Sequence, residues 1–128
     1  VVKICRLGQS LFGRLSKCPF VTVAAIDGIC IGGGAEFASW CDRMIMSDGA
    51  DSEFGFPEVK LGLIPGWGGT ARCSRIAGLG NAVEMITSGE SIDPRTALAM
   101  GIISNIVAPD QLLSAAIQLV RLEQKTKN

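Results

Sequence analysis

The sequence contains no histidine and no tyrosine among its 128 residues. Without them the chain has no Ser-His-Asp or Cys-His arrangement, no histidine-ligated metal and no tyrosine general acid. The groups that remain for acid and base chemistry are carboxylates, amines, thiols and backbone groups. Any catalysis by this chain must therefore come from those groups.

The chain also lacks net charge and long apolar runs. Its 12 basic residues balance its 12 acidic residues, so no net field attracts nucleic acid, an anionic membrane or an acidic partner. No apolar run approaches the roughly 20 residues that span a bilayer, and no signal-like segment opens the chain. We expect a soluble, cytoplasmic protein with no nucleic-acid or membrane partner, whose ligand is a small molecule or a protein.

The five cysteines form an odd and irregular set with no CxxC pair. Their spacing matches no zinc site. We expect reduced thiols that are buried as small hydrophobes, and no metal site. A chain of this length forms one domain at most, which we take as residues 1–128.

Helix and strand patterns alternate along the chain. Apolar positions at helical spacing run from Ile4 to Leu15, and Pro19 ends that segment. The apolar runs 20–26 and 43–47 predict buried strands, the first covered on both faces. Later segments are a turn at 48–51, short extended pieces at 54–63, helices from Thr70 to Gly78, at 81–87 and from Asp93 to before Gly101, a strand at 104–107 and a helix opened by Pro109. This order indicates α/β architecture without repeats.

Three consecutive glycines, 32–34, follow the first predicted strand and precede a helix. Free backbone N–H groups and the positive end of a helix dipole then meet at one place, which favours a negatively charged atom. Such a place can be an oxyanion hole, although a tight turn or close backbone packing also uses glycine. The spacing fits neither GxGxxG nor a phosphate-binding P-loop.

Two glutamates in apolar surroundings are the candidate acids and bases. Glu36 stands three residues beyond Gly33 in the first helical turn, and Glu58 follows Phe56 and Pro57. Carboxylates in such settings are partly desolvated, which is typical of functional sites. The alternatives are that Glu36 only complements the helix dipole and that Glu58 is a surface carboxylate beside Lys60.

Several motifs in order resemble the signature of the enoyl-coenzyme A hydratase, or crotonase, superfamily. The resemblance continues through 87–89 and 97–103 and so covers nearly the whole chain. The motifs that carry it are Ala24-Ala25-Ile26-Asp27-Gly28, Gly32-Gly33-Gly34-Ala35-Glu36, Cys41-Asp42, Phe54-Gly55-Phe56-Pro57-Glu58, Leu61-Gly62-Leu63-Ile64-Pro65-Gly66 and Gly68-Gly69-Thr70.

This resemblance implies a crotonase-like spiral of ββα units and a specific division of roles. It implies that Gly33 supplies one N–H of the oxyanion hole, and that Glu36 and Glu58 are the two catalytic glutamates. Together these imply hydration of a 2-enoyl-coenzyme A in fatty-acid β-oxidation, without a metal or a separate cofactor. The residues it implies around the acyl-coenzyme A substrate are Ile29, Ile31, Gly32, Pro57, Leu63 and Gly66.

The resemblance also leaves alternatives open. Relatives that isomerise a double bond often keep only the glutamate that matches Glu58, and others carry out a different crotonase reaction such as decarboxylation. A chain of this fold can also serve as an interaction module without turnover. Compared with the family the chain is truncated at both ends, and the upstream segment of relatives supplies the second oxyanion N–H. The family further implies a homotrimer or hexamer when full length. The alternatives for the chain itself are a fragment, a truncated form or a part of a multifunctional fatty-acid oxidation protein.

Overall fold

The computed structural model describes residues 1–127, in which short parallel strands alternate with helices. The helices are α1 (Val2–Ser16), α2 (Gly33–Ser39), α3 (Gly69–Ala77), α4 (Leu79–Ser88), α5 (Pro94–Ala99) and α6 (Leu112–Gln124). The strands are β1 (Val23–Ile26), β2 (Ile29–Ile31), β3 (Arg43–Ser47), β4 (Glu53–Gly55) and β5 (Ile106–Val107). Two 3₁₀ helices span Pro57–Leu61 and Pro109–Gln111.

The strands form two parallel sheets. In the first, β3 lies between β1 and β5, and Ile26 is paired with Met46. In the second, β2 pairs with β4, so that Ile31 lies beside Gly55. Because parallel strands need a crossover connection, the chain passes through α2 and β3 between the paired strands β2 and β4, and α2 begins at Gly33, just after β2 ends. The α/β prediction is confirmed, and helix α2 is placed directly above the end of a strand.

The main core lies between the sheets and helices α2 to α5. Its largest fully buried side chains include Phe54 and Phe56, which meet edge to face with ring centroids 5.5 Å apart. Phe54 also forms an antiparallel backbone bridge with Ile92. A smaller cluster around Ile45 and Leu112 packs α6 against the first sheet. Strand β4 is thus bonded to β2 on one edge and to Ile92 on the other. It leads directly into the segment that carries Glu58.

Several predicted boundaries needed correction. The strand predicted at 20–26 begins only at Val23, and Ala25 is exposed, so the prediction that it is covered on both faces is wrong. The last strand is shortened to Ile106–Val107, and Pro109 opens a 3₁₀ turn before α6 begins at Leu112. These ends depend on which neighbours cover them, a tertiary effect that local pattern does not report.

Strand β2 was not predicted as a separate element. Its three residues lie between Gly28, with φ of 99°, and Gly32, with φ of 58°. A positive φ is strained for residues with a side chain, so these two glycines allow the chain to turn into β2 and out again into α2. The glycine-rich turn therefore connects β2 to the helix, rather than the longer strand before it.

The five cysteines are all free, as expected, but only Cys41 and Cys73 are buried. Burial raises the pKa of the Cys30 and Cys73 thiols to about 11 in each case. These two thiols therefore stay protonated at neutral pH. Among residues 1–127, no helix is both long and apolar enough to cross a bilayer.

Replacing Phe54 tests the packing that fixes β4. Phe54 is 1% exposed, so Phe54→Ala should leave a cavity and lower the free energy of unfolding by about 3–5 kcal/mol. Phe54→Leu keeps more of the volume and should cost less. Urea denaturation of the purified variants measures both, and a loss below about 1 kcal/mol for the alanine variant would contradict the packing described here.

Candidate active site

Glu36 projects from the first turn of α2 into the protein rather than into solvent. Its side chain is 3% exposed. Atom Oε1 accepts hydrogen bonds from the backbone N–H groups of Trp67 at 2.8 Å and Gly69 at 3.0 Å. Two such donors satisfy one oxygen of a buried carboxyl group and fix its orientation. Since both bonds go to Oε1, atom Oε2 remains available for another donor.

Glycine residues let the loop that holds Glu36 come close to it. A Cβ atom added at Gly69 would lie 2.8 Å from Cγ of Glu36 and 2.9 Å from Cε1 of Phe56, closer than real Cβ contacts come. Gly68 has a positive φ of 104°, and the ring of Trp40 packs against its backbone. The indole Nε1 of Trp40 donates to the Trp67 carbonyl oxygen at 2.9 Å. Glycine at these positions lets the loop backbone approach Glu36.

Glu58 lies in the 3₁₀ helix Pro57–Leu61 in a very different environment. Both of its carboxyl oxygens are buried, and neither has a hydrogen-bond partner among the described residues. Burial raises the pKa of this carboxyl, the residue's own backbone N–H lowers it in part, and the nearby Glu36 raises it, so that the net direction is upward. Lys60 pairs instead with Glu90 at 3.0 Å. The alternative of a solvated surface carboxylate beside Lys60 is therefore wrong.

One cavity of about 390 Å³ is lined by both glutamates. Atom Oε2 of Glu58 lies 3.9 Å from the position that a Cβ on Gly32 would take. Gly33 begins α2 and lines the same cavity, and its N–H is one of those without an acceptor inside the helix. The remaining lining is mainly apolar, comprising Val1, Ile4, Cys5, Gly32, Pro57, Leu61, Leu63, Ile64, Gly66 and Trp67. The cavity therefore joins two carboxyl groups, a free amide and an apolar wall.

Most of the residues that were assigned to the site from sequence lie together here. Gly32, Pro57, Leu63 and Gly66 line the cavity with the two glutamates and Gly33. Ile29 and Ile31 are not part of its lining. They are 65% and 39% exposed, and Ile29 borders a different cavity beside Phe37. Alternate residues of a strand share a face, so both isoleucines point away from the side that carries Cys30.

The sequence reasoning missed Trp67 and the wall that α1 contributes. Trp67 packs over Gly33, because a Cβ added at Gly33 would lie 2.7 Å from atom Cζ3 of the indole. Cys5 lies 2.8 Å from the corresponding position on Gly66, and Gln9 donates to the Gly66 carbonyl oxygen at 2.9 Å. Two features of the sequence could have indicated these parts of the cavity wall. One is the single aromatic residue in a glycine-rich loop, and the other is an amphipathic helix to which no packing partner was assigned.

A second cavity, of about 450 Å³, shares no residue with the first. It is lined in part by Arg72, Arg75 and Ser104. The Arg72 guanidinium stacks on Trp40 at 5.1 Å and donates to the Ser39 carbonyl oxygen at 2.9 Å. Neither glutamate of the first cavity lines it, so the two glutamates share only the smaller cavity.

Comparison with known proteins gives consistent matches. The family described as enoyl-CoA hydratase/isomerase matches residues 5–127. The fatty acid oxidation complex subunit alpha of Aliivibrio fischeri is 44% identical over 120 residues, which make up 94% of this chain and 17% of that protein.

Two solved structures share the fold closely. An enoyl-CoA hydratase from Geobacillus kaustophilus has a TM-score of 0.89 at 30% identity, with 95% of this chain and 46% of that chain covered. An enoyl-CoA hydratase from Bacillus anthracis has a TM-score of 0.86 at 31% identity, with 92% of this chain and 45% of that chain covered. The chain thus spans just under half the length of these two proteins.

The thermal stability of a Glu58→Gln variant tests whether the Glu58 carboxyl is buried without a partner. A raised pKa means that the folded state disfavours the charged form, so ionised Glu58 lowers stability once the pH exceeds its ordinary value of 4.5. The variant should therefore melt at a higher temperature than the parent at pH 7. The difference should shrink below pH 4.5, where the carboxyl is neutral in both states. Thermal melts at both pH values measure this.

The control is Glu84→Gln on the exposed face of α4, where the carboxylate stays solvated in both states. Its effect on melting should be small and similar at the two pH values. A Glu58→Gln variant that is less stable than the parent at pH 7 would contradict the unpaired environment.

Gly69→Ala tests the close approach of the loop to Glu36. The added methyl group would collide with Glu36 and Phe56, and overpacking of this kind costs about 1–3 kcal/mol. Gly80→Ala is the matched control, because a Cβ at Gly80 in α4 meets open space and should stabilise the helix by about 0.5–1 kcal/mol. Urea denaturation gives both values, and effects of the same sign at both positions would contradict the contact.

Proposed function

Because the chain belongs to the enoyl-CoA hydratase/isomerase family, we propose that it carries the acid and base of a site that adds water to a 2-enoyl-CoA thioester. The observation that carries the proposal is the shared cavity, in which two amides bind one glutamate and the other has no hydrogen-bond partner within residues 1–127. Unequal environments of two carboxyl groups separate an acid from a base.

Glu58 is the proton donor in this proposal. Its carboxyl oxygens are buried and unpaired in the described part of the chain, and burial raises the pKa, so the protonated form persists to higher pH than that of an ordinary glutamic acid. An acid of this kind can deliver a proton to the α-carbon of the substrate. The apolar wall beside it, formed by residues such as Leu63, keeps the carboxyl desolvated.

Glu36 is the base. The amides of Trp67 and Gly69 fix Oε1 in place, while Oε2 accepts neither of these bonds. A carboxylate held in this way can accept a proton from a water molecule as the water oxygen bonds to the β-carbon. Its position on the first turn of α2 brings it close to Gly33, where the thioester oxygen would lie.

Gly33 supplies the third part of the proposed site. As the water oxygen adds to the β-carbon, negative charge develops on the thioester oxygen, and a preorganised N–H stabilises that charge. The N–H of Gly33 is at the start of α2 and lines the cavity.

The proposed reaction conserves atoms, protons and electrons. The water oxygen bonds to the β-carbon, one water proton passes to Glu36, and the carbon–carbon double bond becomes a single bond. The α-carbon takes its proton from Glu58, which gives a 3-hydroxyacyl thioester. Proton exchange between the two carboxyl groups and solvent restores the starting state. No electrons are lost or gained by the protein, so the reaction requires no redox cofactor.

Double-bond isomerisation is the second candidate. It is supported by the two hydrogen bonds that occupy Oε1 of Glu36, since a carboxylate held by a loop can also position a neighbouring group without exchanging a proton. Glu58 would then both remove and return a proton. The 44% identity to a fatty acid oxidation subunit supports a role in fatty-acid oxidation for either reaction, although the chain covers 17% of that protein.

Separate glutamine variants of Glu36 and Glu58 distinguish these reactions. Measured in the full-length protein with crotonyl-CoA, each variant should lose hydration by about 100-fold or more, because each removes one proton-transfer group. The loss of absorbance of the conjugated thioester reports the rate. Glu84→Gln, on the exposed face of α4, is the control that changes a carboxylate outside the cavity.

Isomerisation of a 3-enoyl-CoA is measured on the same variants. Loss from Glu58→Gln with activity retained in Glu36→Gln would favour the isomerase. Retention of every activity in both variants would refute an enzymatic role for this cavity and favour an interaction module.

A further inference from the structure

The cavity that contains the two glutamates follows one face of α1. Val1, Ile4 and Cys5 line it, and they recur at the spacing of neighbours on a single helix face. The next positions on that face are Gly8 and Phe12. A cavity that continued along α1 would therefore pass over these two residues.

Trp67 occupies that continuation. A Cβ added at Gly8 would collide with indole atom Cδ1 and would lie 2.6 Å from Cγ, and one added at Gly33 would lie 2.7 Å from Cζ3. The indole is therefore held between α1 and α2 at positions that have no side chain. Beyond it, the Phe12 ring meets the indole edge to face at a centroid distance of 5.5 Å.

We infer that the indole of Trp67 closes the acyl cavity at Gly8 and sets the longest acyl chain that the site accepts. This inference rests on the proposed function, because it takes the cavity to hold the acyl group of a thioester. The first part of α1 offers an apolar wall to a short chain, and the indole blocks its extension toward Phe12. Trp67 is thus a specificity-determining residue for that reaction.

The side chain and the backbone of Trp67 have separate roles. The backbone N–H holds Glu36, and the backbone carbonyl accepts the hydrogen bond from Trp40. Any residue other than proline keeps both of these groups. A change of side chain at position 67 can therefore alter the length of the cavity while the contacts of Glu36 are retained.

The test compares Trp67→Ala and Trp67→Phe with the parent in the full-length protein. The measured quantity is kcat/KM for 2-enoyl-CoA thioesters with acyl chains of four, ten and sixteen carbons. The alanine variant should raise the ratio of the sixteen-carbon to the four-carbon substrate by about 10-fold or more, since pocket contacts of one or a few methylenes discriminate on this scale. The phenylalanine variant should give a smaller rise.

Trp40→Phe is the matched control. It removes the indole hydrogen bond to the same loop, but Trp40 is not part of the cavity lining. If Trp67 acts only by stiffening the loop, then Trp40→Phe and Trp67→Ala should lower the rates for all chain lengths in parallel. An unchanged chain-length ratio in both Trp67 variants would overturn the inference.

Binding of saturated acyl-CoA thioesters of the same three lengths, measured by calorimetry, provides a readout that does not need turnover. Tighter relative binding of the longest chain to Trp67→Ala supports the inference even if the protein hydrates none of the substrates. The two failures are thus distinguishable, because absent hydration with a shifted binding preference refutes only the proposed reaction. If circular dichroism shows that Trp67→Ala is unfolded, Trp67→Phe decides the test. An unchanged chain-length preference in the binding of acyl-CoA to Trp67→Phe then overturns the inference.

Discussion

The hydrogen bonds between Glu36 and the amides of the glycine-rich loop are the interaction on which the site depends. A carboxylate that is 3% exposed needs partners, because an ionised group in an apolar interior is very costly when it is unpaired. The loop provides them only because Gly69 lets its backbone approach. This contact fixes α2 to the loop, and the loop in turn places Trp67 against Gly8 and Gly33. The geometry of the cavity thus follows from one satisfied carboxylate.

Glu58 lies in the same cavity, but its carboxyl has the opposite kind of environment. Its oxygens are buried without hydrogen-bond partners among residues 1–127, and burial raises the pKa of this carboxyl, which lowers stability at neutral pH. The rigid support for this strained arrangement is the core beneath it, where Phe54 and Phe56 fix strand β4 immediately before Pro57. A site that combines one satisfied and one unsatisfied acid needs such support, because the unsatisfied group would otherwise relax toward solvent.

Sequence predicted the parts of this structure that depend on local pattern and motif. Strand β3 was placed correctly at Arg43–Ser47, and the Asp93 side chain caps α5 by accepting the Thr96 N–H at 2.8 Å. Strand β2 was missed because three residues between two glycines carry no periodicity, and the position of Trp67 was missed because it depends on Gly8, which lies 59 residues earlier in the numbering. Contacts between distant segments have no local signal, and they determine the shape of the cavity.

The two glycines beneath the indole explain why chemistry and specificity can vary separately in this site. The proposed acid and base act through their own carboxyl groups, and the oxyanion donor and the supports of Glu36 are backbone amides, which most substitutions preserve. The length of the cavity depends instead on one side chain packed where Gly8 and Gly33 have none. A smaller residue at position 67 leaves the amides in place and lengthens the space. Substrate range can therefore change at this position while the reaction stays the same.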